Sequence, residues 1–302
     1  MAGRIFSPGK LLLTSEYVVL DGALALAIPT KWGQEFFFEE IEDGKSLVTW
    51  TAMHNCQPWL EVEIDYKLGK VLFTNLPESA SFILKVLMKV KELSNIQFQR
   101  DSSYSLTTDL QFPADYGLGS SSTLMNNLAD WAAIDAFELN ESCLGGSGYD
   151  IAVAKEKSAL LYQNLKTERK VEALKFKPDF KKDLIFIHLN KKQNSREGIE
   201  LYRTKEASSE LITAFSDLTE KILKASTLEE FSSLMTLHEH NLGNFLGMET
   251  VKEKYFQDCP VFVKSLGAWG GDFVLSSKFP GYQEYFLDKG FPTIFEWDSL
   301  IA

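Results

Sequence analysis

The sequence predicts an α+β protein, on three observations. Leu60–Ile64 and Tyr104–Leu110 alternate apolar and polar side chains, as strands with one buried face do. Phe82–Leu93 and Ser122–Phe137 space their apolar residues as amphipathic helices do. Glycine-rich stretches at 117–119, 145–148 and 267–271 punctuate the chain.

Taken in order, residues 3–13 and 17–28 read as apolar strands around a tight turn. Trp32–Glu40, with Phe36, Phe37 and Phe38, and Leu47–Thr51 read as further strands. The Phe82–Leu93 helix carries lysines on one side, and Leu124, Leu128, Trp131 and Ala132 share a face of the next helix. Residues 165–180 turn basic and read as a loop, so the boundary falls there, with domains at 1–170 and 171–302. Leu184–Leu189 reads as a strand, followed by two or three helices across 196–255 and a glycine-rich loop. Strand Phe273–Ser276, helix Tyr282–Lys289 and strand Thr293–Trp297 close the chain.

Composition narrows the function. A length of 302 residues with 45% apolar content allows one large or two medium domains with a substantial core. A net charge of −11 argues against nucleic-acid binding, which needs basic patches. No apolar run reaches the roughly 18 residues of a membrane span. The start Met-Ala-Gly-Arg-Ile-Phe has no apolar signal core, so a cytoplasmic location is expected. Cys56, Cys143 and Cys259 are odd in number and far apart, which fits neither a disulfide framework nor a zinc site.

The most informative stretch is Pro113-Ala114-Asp115-Tyr116-Gly117-Leu118-Gly119-Ser120-Ser121-Ser122. Glycines that allow close backbone approach run into a helix start, whose free N–H groups and dipole favour phosphate. No Gly-Lys-Ser/Thr follows, so it is not a Walker A loop. Read alone, it is equally a flexible turn before a capped helix. Upstream, Ser7-Pro8-Gly9 delivers Lys10 into an apolar run that continues through Glu16 and Tyr17. Downstream, Asp150 sits between Gly145-Gly146-Ser147-Gly148 and an apolar helix start, where it reads equally as an N-cap.

In this order the segments resemble the GHMP kinase family of small-molecule kinases. Pro8, Gly9, Lys10, Leu13 and Glu16 match its first motif, and Pro113–Ser121 matches its second in full. Lys264-Ser265-Leu266-Gly267-Ala268-Trp269-Gly270-Gly271-Asp272 is similar to its third. The resemblance implies a two-domain GHMP kinase fold, with an N-terminal domain of the ribosomal protein S5 domain 2-like type and a ferredoxin-like C-terminal domain. It implies ATP as phosphoryl donor and Mg2+. Pro113, Gly117, Leu118, Gly119, Ser120, Ser121 and Ser122 would hold the triphosphate, supported by Gly267, Gly270 and Gly271. Asp150 would be the general base, with Lys10 beside it. Ser121 would be a magnesium ligand, joined by Glu138, with Glu141 the alternative.

Some residues depart from the family pattern. Asp150 follows Ser122 by 28 positions, so one of the two helices expected between them reads as missing. Trp269 replaces a small residue, Ser15 a glycine and Tyr17 a histidine. Gly148-Tyr149-Asp150-Ile151-Ala152 and Gly270-Gly271-Asp272 resemble phosphomevalonate kinases. The implied function is ATP-dependent phosphorylation of mevalonate or 5-phosphomevalonate. The alternatives are a kinase of another small alcohol, such as a sugar or homoserine, and a nucleotide-binding regulator without turnover. The implied partner is a small molecule, with neither nucleic acid nor membrane, and a homodimer is open. His238 and His240, two apart on a helix, do not face each other as a metal pair. Lys192 and Arg196 are candidates for binding an anionic substrate group.

Overall fold

A computed structural model of the chain describes residues 2–165, 168–191, 195–267 and 269–302, with backbone alone at 195 and 196. In order the elements are β1 (Ala2–Leu12), β2 (Ala25–Ile41), β3 (Leu47–His54), β4 (Gln57–Asp65), β5 (Lys70–Thr74), α1 (Pro77–Leu93), β6 (Ser103–Leu110), α2 (Ser120–Ala132), α3 (Ala136–Cys143) and α4 (Tyr149–Glu156). Then come β7 (Ala159–Asn164), β8 (Arg169–Leu174), β9 (Leu184–His188), α5 (Ser195–Arg203), α6 (Ser209–Lys224), α7 (Leu228–Leu246), α8 (Val251–Tyr255), β10 (Val263–Leu266), β11 (Phe273–Ser277), α9 (Tyr282–Asp288), β12 (Ile294–Glu296) and α10 (Trp297–Leu300).

Two compact units interleave along the chain. Unit one comprises the residues up to Gly9, Trp32–Ala114 and Gly119–Lys157. Its strands run in the order β5-β4-β3-β6-β2, with β3 and β6 parallel and the other neighbours antiparallel. The alternation read in β4 and β6 is the alternation of burial: Leu60, Val62 and Ile64 point inward, as do Tyr104 and Leu106. Helix α1 starts with Pro77 in its first turn and buries Ile83, Val86, Leu87 and Val90. Trp131 of α2 anchors an aromatic cluster, with ring centroids 5.6 Å from Phe98 and Tyr104 and 5.8 Å from Phe36.

Unit two comprises Lys10–Lys31, Asp115–Leu118 and Ser158–Ala302. It contains an antiparallel sheet, β10-β11-β9-β12. In β9 and β11 every residue is buried, and the apolar stretches Leu184–Ile187 and Phe273–Leu275 supply most of each strand. Ile185, Ile187, Val274, Phe256 and Phe286 form one core. A second core gathers Tyr17, Val18, Tyr202, Phe215, Leu242 and Trp269. β7 pairs with β8 and with the first residues of β2.

Several expectations are corrected. Residues 17–28 are not one strand: Ser15 and Tyr17 have φ of 63° and 62°, a short 3-10 turn covers Val18–Asp21, and β2 begins at Ala25. β2 then runs unbroken through the two strands expected up to residue 40. Ser122–Phe137 is not one helix, because Ala133 at φ 52° ends α2 and the Asp135 side chain caps α3 by accepting the Glu138 N–H. The helix that reads as missing before Asp150 is therefore present. The basic stretch contains β8, an edge strand on which Lys170 and Glu172 are exposed while Arg169 Nε donates to Tyr162 Oη of β7 at 3.2 Å. Among the described residues, 196–255 holds four helices rather than two or three.

Candidate active site

In unit one the second motif turns directly into α2. Gly119, at φ 88°, occupies the N-cap position, a backbone state that favours glycine. Among the described residues no side chain caps α2; Ser122 Oγ instead donates to Gly119 O at 2.8 Å and Thr123 Oγ1 to Ser120 O at 2.9 Å. The first N–H groups of α2 therefore lack the side-chain acceptor that most helix starts carry, which suits an anion. The Ser121 side chain is exposed and Ser122 is buried.

A buried polar network holds this helix in place. Asn126 Nδ2 donates to Ser7 Oγ at 2.9 Å, and Ser7 Oγ donates to Asn127 Oδ1 at 2.7 Å. Asn127 Nδ2 donates to Gln34 O at 3.0 Å. Two asparagines that would weaken an exposed helix thus fasten α2 to β1 and β2.

Asp150 lies in the first turn of α4, behind Gly148 at φ 85°. Its Oδ1 accepts the Ile151 N–H at 3.0 Å, and the side chain is partly exposed. Helices α2 and α4 pack together, with Asn126 Nδ2 3.4 Å from Ala154 O. Glu138 and Glu141 are both exposed on α3. Glu138 also lies within the field of Lys89 on α1. Pro113 is partly buried just before the loop.

In unit two, Lys10 is tied to the other part of the second motif. Its N–H donates to Leu118 O at 2.9 Å, and its Nζ donates to Gly117 O at 2.8 Å. Leu118 is fully buried and anchors the loop. Gly117 has φ 65°, and a Cβ there would lie 2.1 Å from Asp272 Oδ2. A Cβ on Gly267 would lie 3.9 Å from the same oxygen. The second and third motifs therefore meet at Asp272. Gly270, at φ 75°, faces open space, and Gly271 is buried. Tyr116 packs on His188 at 4.3 Å with the rings tilted by 33° and meets the edge of Phe273 at 5.5 Å. His188, the last residue of β9, thus supports the loop. Lys192 and Ala268 lie outside the described residues, as does the Arg196 side chain.

The substituted residues of the first and third motifs also meet. The Trp269 N–H donates to Tyr17 Oη at 2.8 Å, and Tyr17 stacks on Tyr202 at 6.0 Å. Gly198 leaves room for the Tyr17 hydroxyl: a Cβ there would lie 2.2 Å from it. Tyr17, Glu197, Met248 and Trp269 line a small adjoining cavity.

Sequence reasoning passed over a buried charge cluster. Lys264 Nζ lies 2.5 Å from Glu16 Oε1, with exposures of 0% and 2%. His238 Nε2 accepts the Ser15 N–H at 2.7 Å. Burial, with the Lys264 charge, holds the His238 imidazole well below its usual range, so it is neutral. Glu239 is buried beside them. The available signals were a lysine in the short run Val263–Leu266, and a histidine and a glutamate on an otherwise apolar helix face.

No protein-family model matches the chain, and no curated protein sequence does. Solved structures match over nearly its whole length. The mevalonate kinase of Methanococcus jannaschii aligns with a TM-score of 0.68 and 16% identity over 98% of this chain and 97% of that one. Streptococcus pneumoniae phosphomevalonate kinase, in complex with phosphomevalonate and AMPPNP, aligns at 0.69 and 17% over 98% and 99%. Lactococcus lactis galactokinase, complexed with galactose, aligns at 0.69 and 14% over 98% and 92%. The chain has the fold of these small-molecule kinases, as the motif resemblance implied, with a mixed sheet and a smaller antiparallel one.

Proposed function

We propose that the chain is an ATP-dependent kinase that phosphorylates mevalonate or 5-phosphomevalonate. The observation that carries this reading is the start of α2, where a Gly-Leu-Gly turn and three serines leave the first N–H groups uncapped, on a fold shared with solved kinases. Phosphoryl transfer asks little covalent chemistry of a protein; it asks for positioning and charge stabilisation. The backbone of Gly117–Ser122 binds the phosphates. Asp150 accepts the proton of the acceptor hydroxyl, and Lys10 offsets charge on the reacting oxygens.

Ser121 on α2 and Glu138 on α3 would be the magnesium ligands, both exposed hard oxygens. Most of α2 separates Ser121 from the start of α3, about 16 Å at about 1.5 Å per residue, so the two do not sit side by side and of the pair only Ser121 lies at the phosphate loop. Among the described residues no group of three His, Cys, Asp or Glu gathers to hold an ion alone, so phosphate and water would complete the shell. When bound, magnesium neutralises phosphate oxygens. The functional division near residue 170, a cytoplasmic location and a possible homodimer belong to the same proposal. Among the described residues no helix is long and apolar enough to cross a membrane.

A sugar acceptor is the second reading, supported by the galactokinase match. The regulatory reading leaned on a shortened magnesium region and on Trp269; both α2 and α3 are present, which removes the first of these supports. The test is turnover of mevalonate, 5-phosphomevalonate, homoserine and galactose with Mg-ATP. Turnover of either mevalonate compound that collapses in Asp150→Asn is expected. Phosphorylation of galactose or homoserine alone would overturn the acceptor assignment, and ATP binding without any turnover would favour the regulator.

A further inference from the structure

The cluster behind the first motif is out of balance in charge. Three ionisable side chains converge on Lys264 in unit two: Glu16 from the turn after β1, and His238 and Glu239 from α7. Lys264 Nζ is spent on Glu16 Oε1 at 2.5 Å and Ser265 O at 2.7 Å. Glu16 Oε2 and His238 Nδ1 are buried without a hydrogen-bond partner among the described residues, and the Glu239 carboxyl faces only the Ser265 N–H and hydroxyl, both beyond ordinary hydrogen-bond length. His238 accepts the Ser15 N–H at Nε2, so its own proton sits on Nδ1 and it brings no charge. One ammonium then faces two carboxyls. With both ionised, a net negative charge would be buried without compensation, which is far costlier than binding a proton.

Among the described residues the other packed elements do not supply the missing charge. On α8, Lys252 Nζ donates to Val261 O at 2.7 Å, and Glu253 accepts from Thr250. His240 lies on the exposed side of α7, and β11 places Leu275 opposite Lys264. The side of α6 facing the cluster offers the Thr219 hydroxyl, which bonds Thr14, Ser15 and Leu24.

We propose that the Glu16–Glu239 pair is a one-proton binding site, filled at mildly acid pH and emptied as the pH rises past neutral, that sets the stability of unit two and of the Ser15–Tyr17 turn. The proton resides mainly on Glu239, because Lys264 is bonded to Glu16. Burial is the main influence raising the Glu239 carboxyl, with Lys264 opposing it, Glu16 adding to it and the Ser265 N–H and hydroxyl opposing it more weakly, and the result is pushed up to about 7. The folded chain therefore holds more protons than the unfolded chain between the ordinary carboxyl range and about pH 7. Stability from this group is full below that window and is lost as pH rises through it. The proposal concerns unit two alone and does not require the chain to be a kinase.

The test is the thermal midpoint of the full chain from pH 5 to pH 8.5, for the wild type and Glu239→Gln. The wild-type midpoint should fall across this range by roughly 5–10 °C more than that of the variant. Parallel curves would overturn the proposal. Infrared spectra of the wild type at pH 6 supply a readout that needs no variant: a protonated buried carboxyl must show its acid C=O band, and its absence would also overturn the proposal. Glu16→Gln provides the second variant if Glu239→Gln does not fold, and should flatten the profile too. A midpoint at pH 8 that rises in K+ over choline at equal ionic strength would mean a bound cation instead of a proton.

Discussion

Lys264 and Glu16 form an ion pair 2.5 Å long between residues 248 positions apart, one on β10 and one in the turn after β1. Both side chains are withdrawn from solvent. Their attraction ties the end of the first motif to the strand that leads into the third. Such a pair contributes less net stability than its length implies, but removing one partner leaves a buried charge.

Lys264→Met should therefore destabilise the chain by about 3–5 kcal/mol at pH 7. Adding Glu16→Leu should recover much of this loss, because no carboxylate is then stranded. The single variant should lose less at pH 5, where Glu16, already raised by burial, takes up a proton more readily. Urea unfolding of the four chains at both pH values measures this. Simple additivity of the two single substitutions would contradict it.

Gly117→Ala should damage nucleotide binding and stability together. The new methyl would sit 2.1 Å from Asp272 Oδ2, at φ 65°. The backbone strain alone is worth about 1–2 kcal/mol. Displacing the loop should weaken ATP at least ~10-fold, or about 1.4 kcal/mol. Gly270→Ala is the control: φ is 75° but the space is open, so only the strain is paid. Calorimetric titration with ATP separates the two.

Asp150→Asn should lower kcat by about 100- to 10,000-fold, the usual worth of a general base. ATP affinity should change little, since the residue lies in α4 and not in the phosphate loop. Lys10→Met should instead weaken ATP as well as turnover, because it releases the Gly117 carbonyl. Equal loss of ATP affinity in both variants would refute this division of roles.

Gly198→Ala should cost about 1–3 kcal/mol through overpacking against Tyr17 Oη. Tyr17→Phe removes the clashing oxygen together with the acceptor of the Trp269 N–H. The two substitutions should couple by about 0.5–3 kcal/mol, so the double variant loses less than the sum. A double-mutant cycle in thermal unfolding reads this directly.

Much of the fold was legible because it rests on local pattern. β4 and β6 alternate, α1 is amphipathic behind a proline, and β9 and β11 begin with the apolar runs Leu184–Ile187 and Phe273–Leu275. The errors fall where a local pattern admits two backbones. Nothing apolar or polar marks Ala133 as left-handed, so α2 and α3 read as one helix. Ser15 and Tyr17 take positive φ without being glycine, held by the His238 ring and the Trp269 backbone, so a turn read as a strand.

By itself the sequence determined the α+β class, the glycine turn at the start of α2, and the order of Lys10, Ser121 and Asp150 along the chain. These depend on steric freedom and periodicity, which neighbouring residues settle among themselves. Only tertiary structure decided that Lys10 bonds Gly117 across 107 positions, that Asp272 joins the second and third motifs, and that Glu16, His238, Glu239 and Lys264 share one interior. Pairing of charges and filling of space depend on which segments fold beside one another, and spacing along the chain does not encode that.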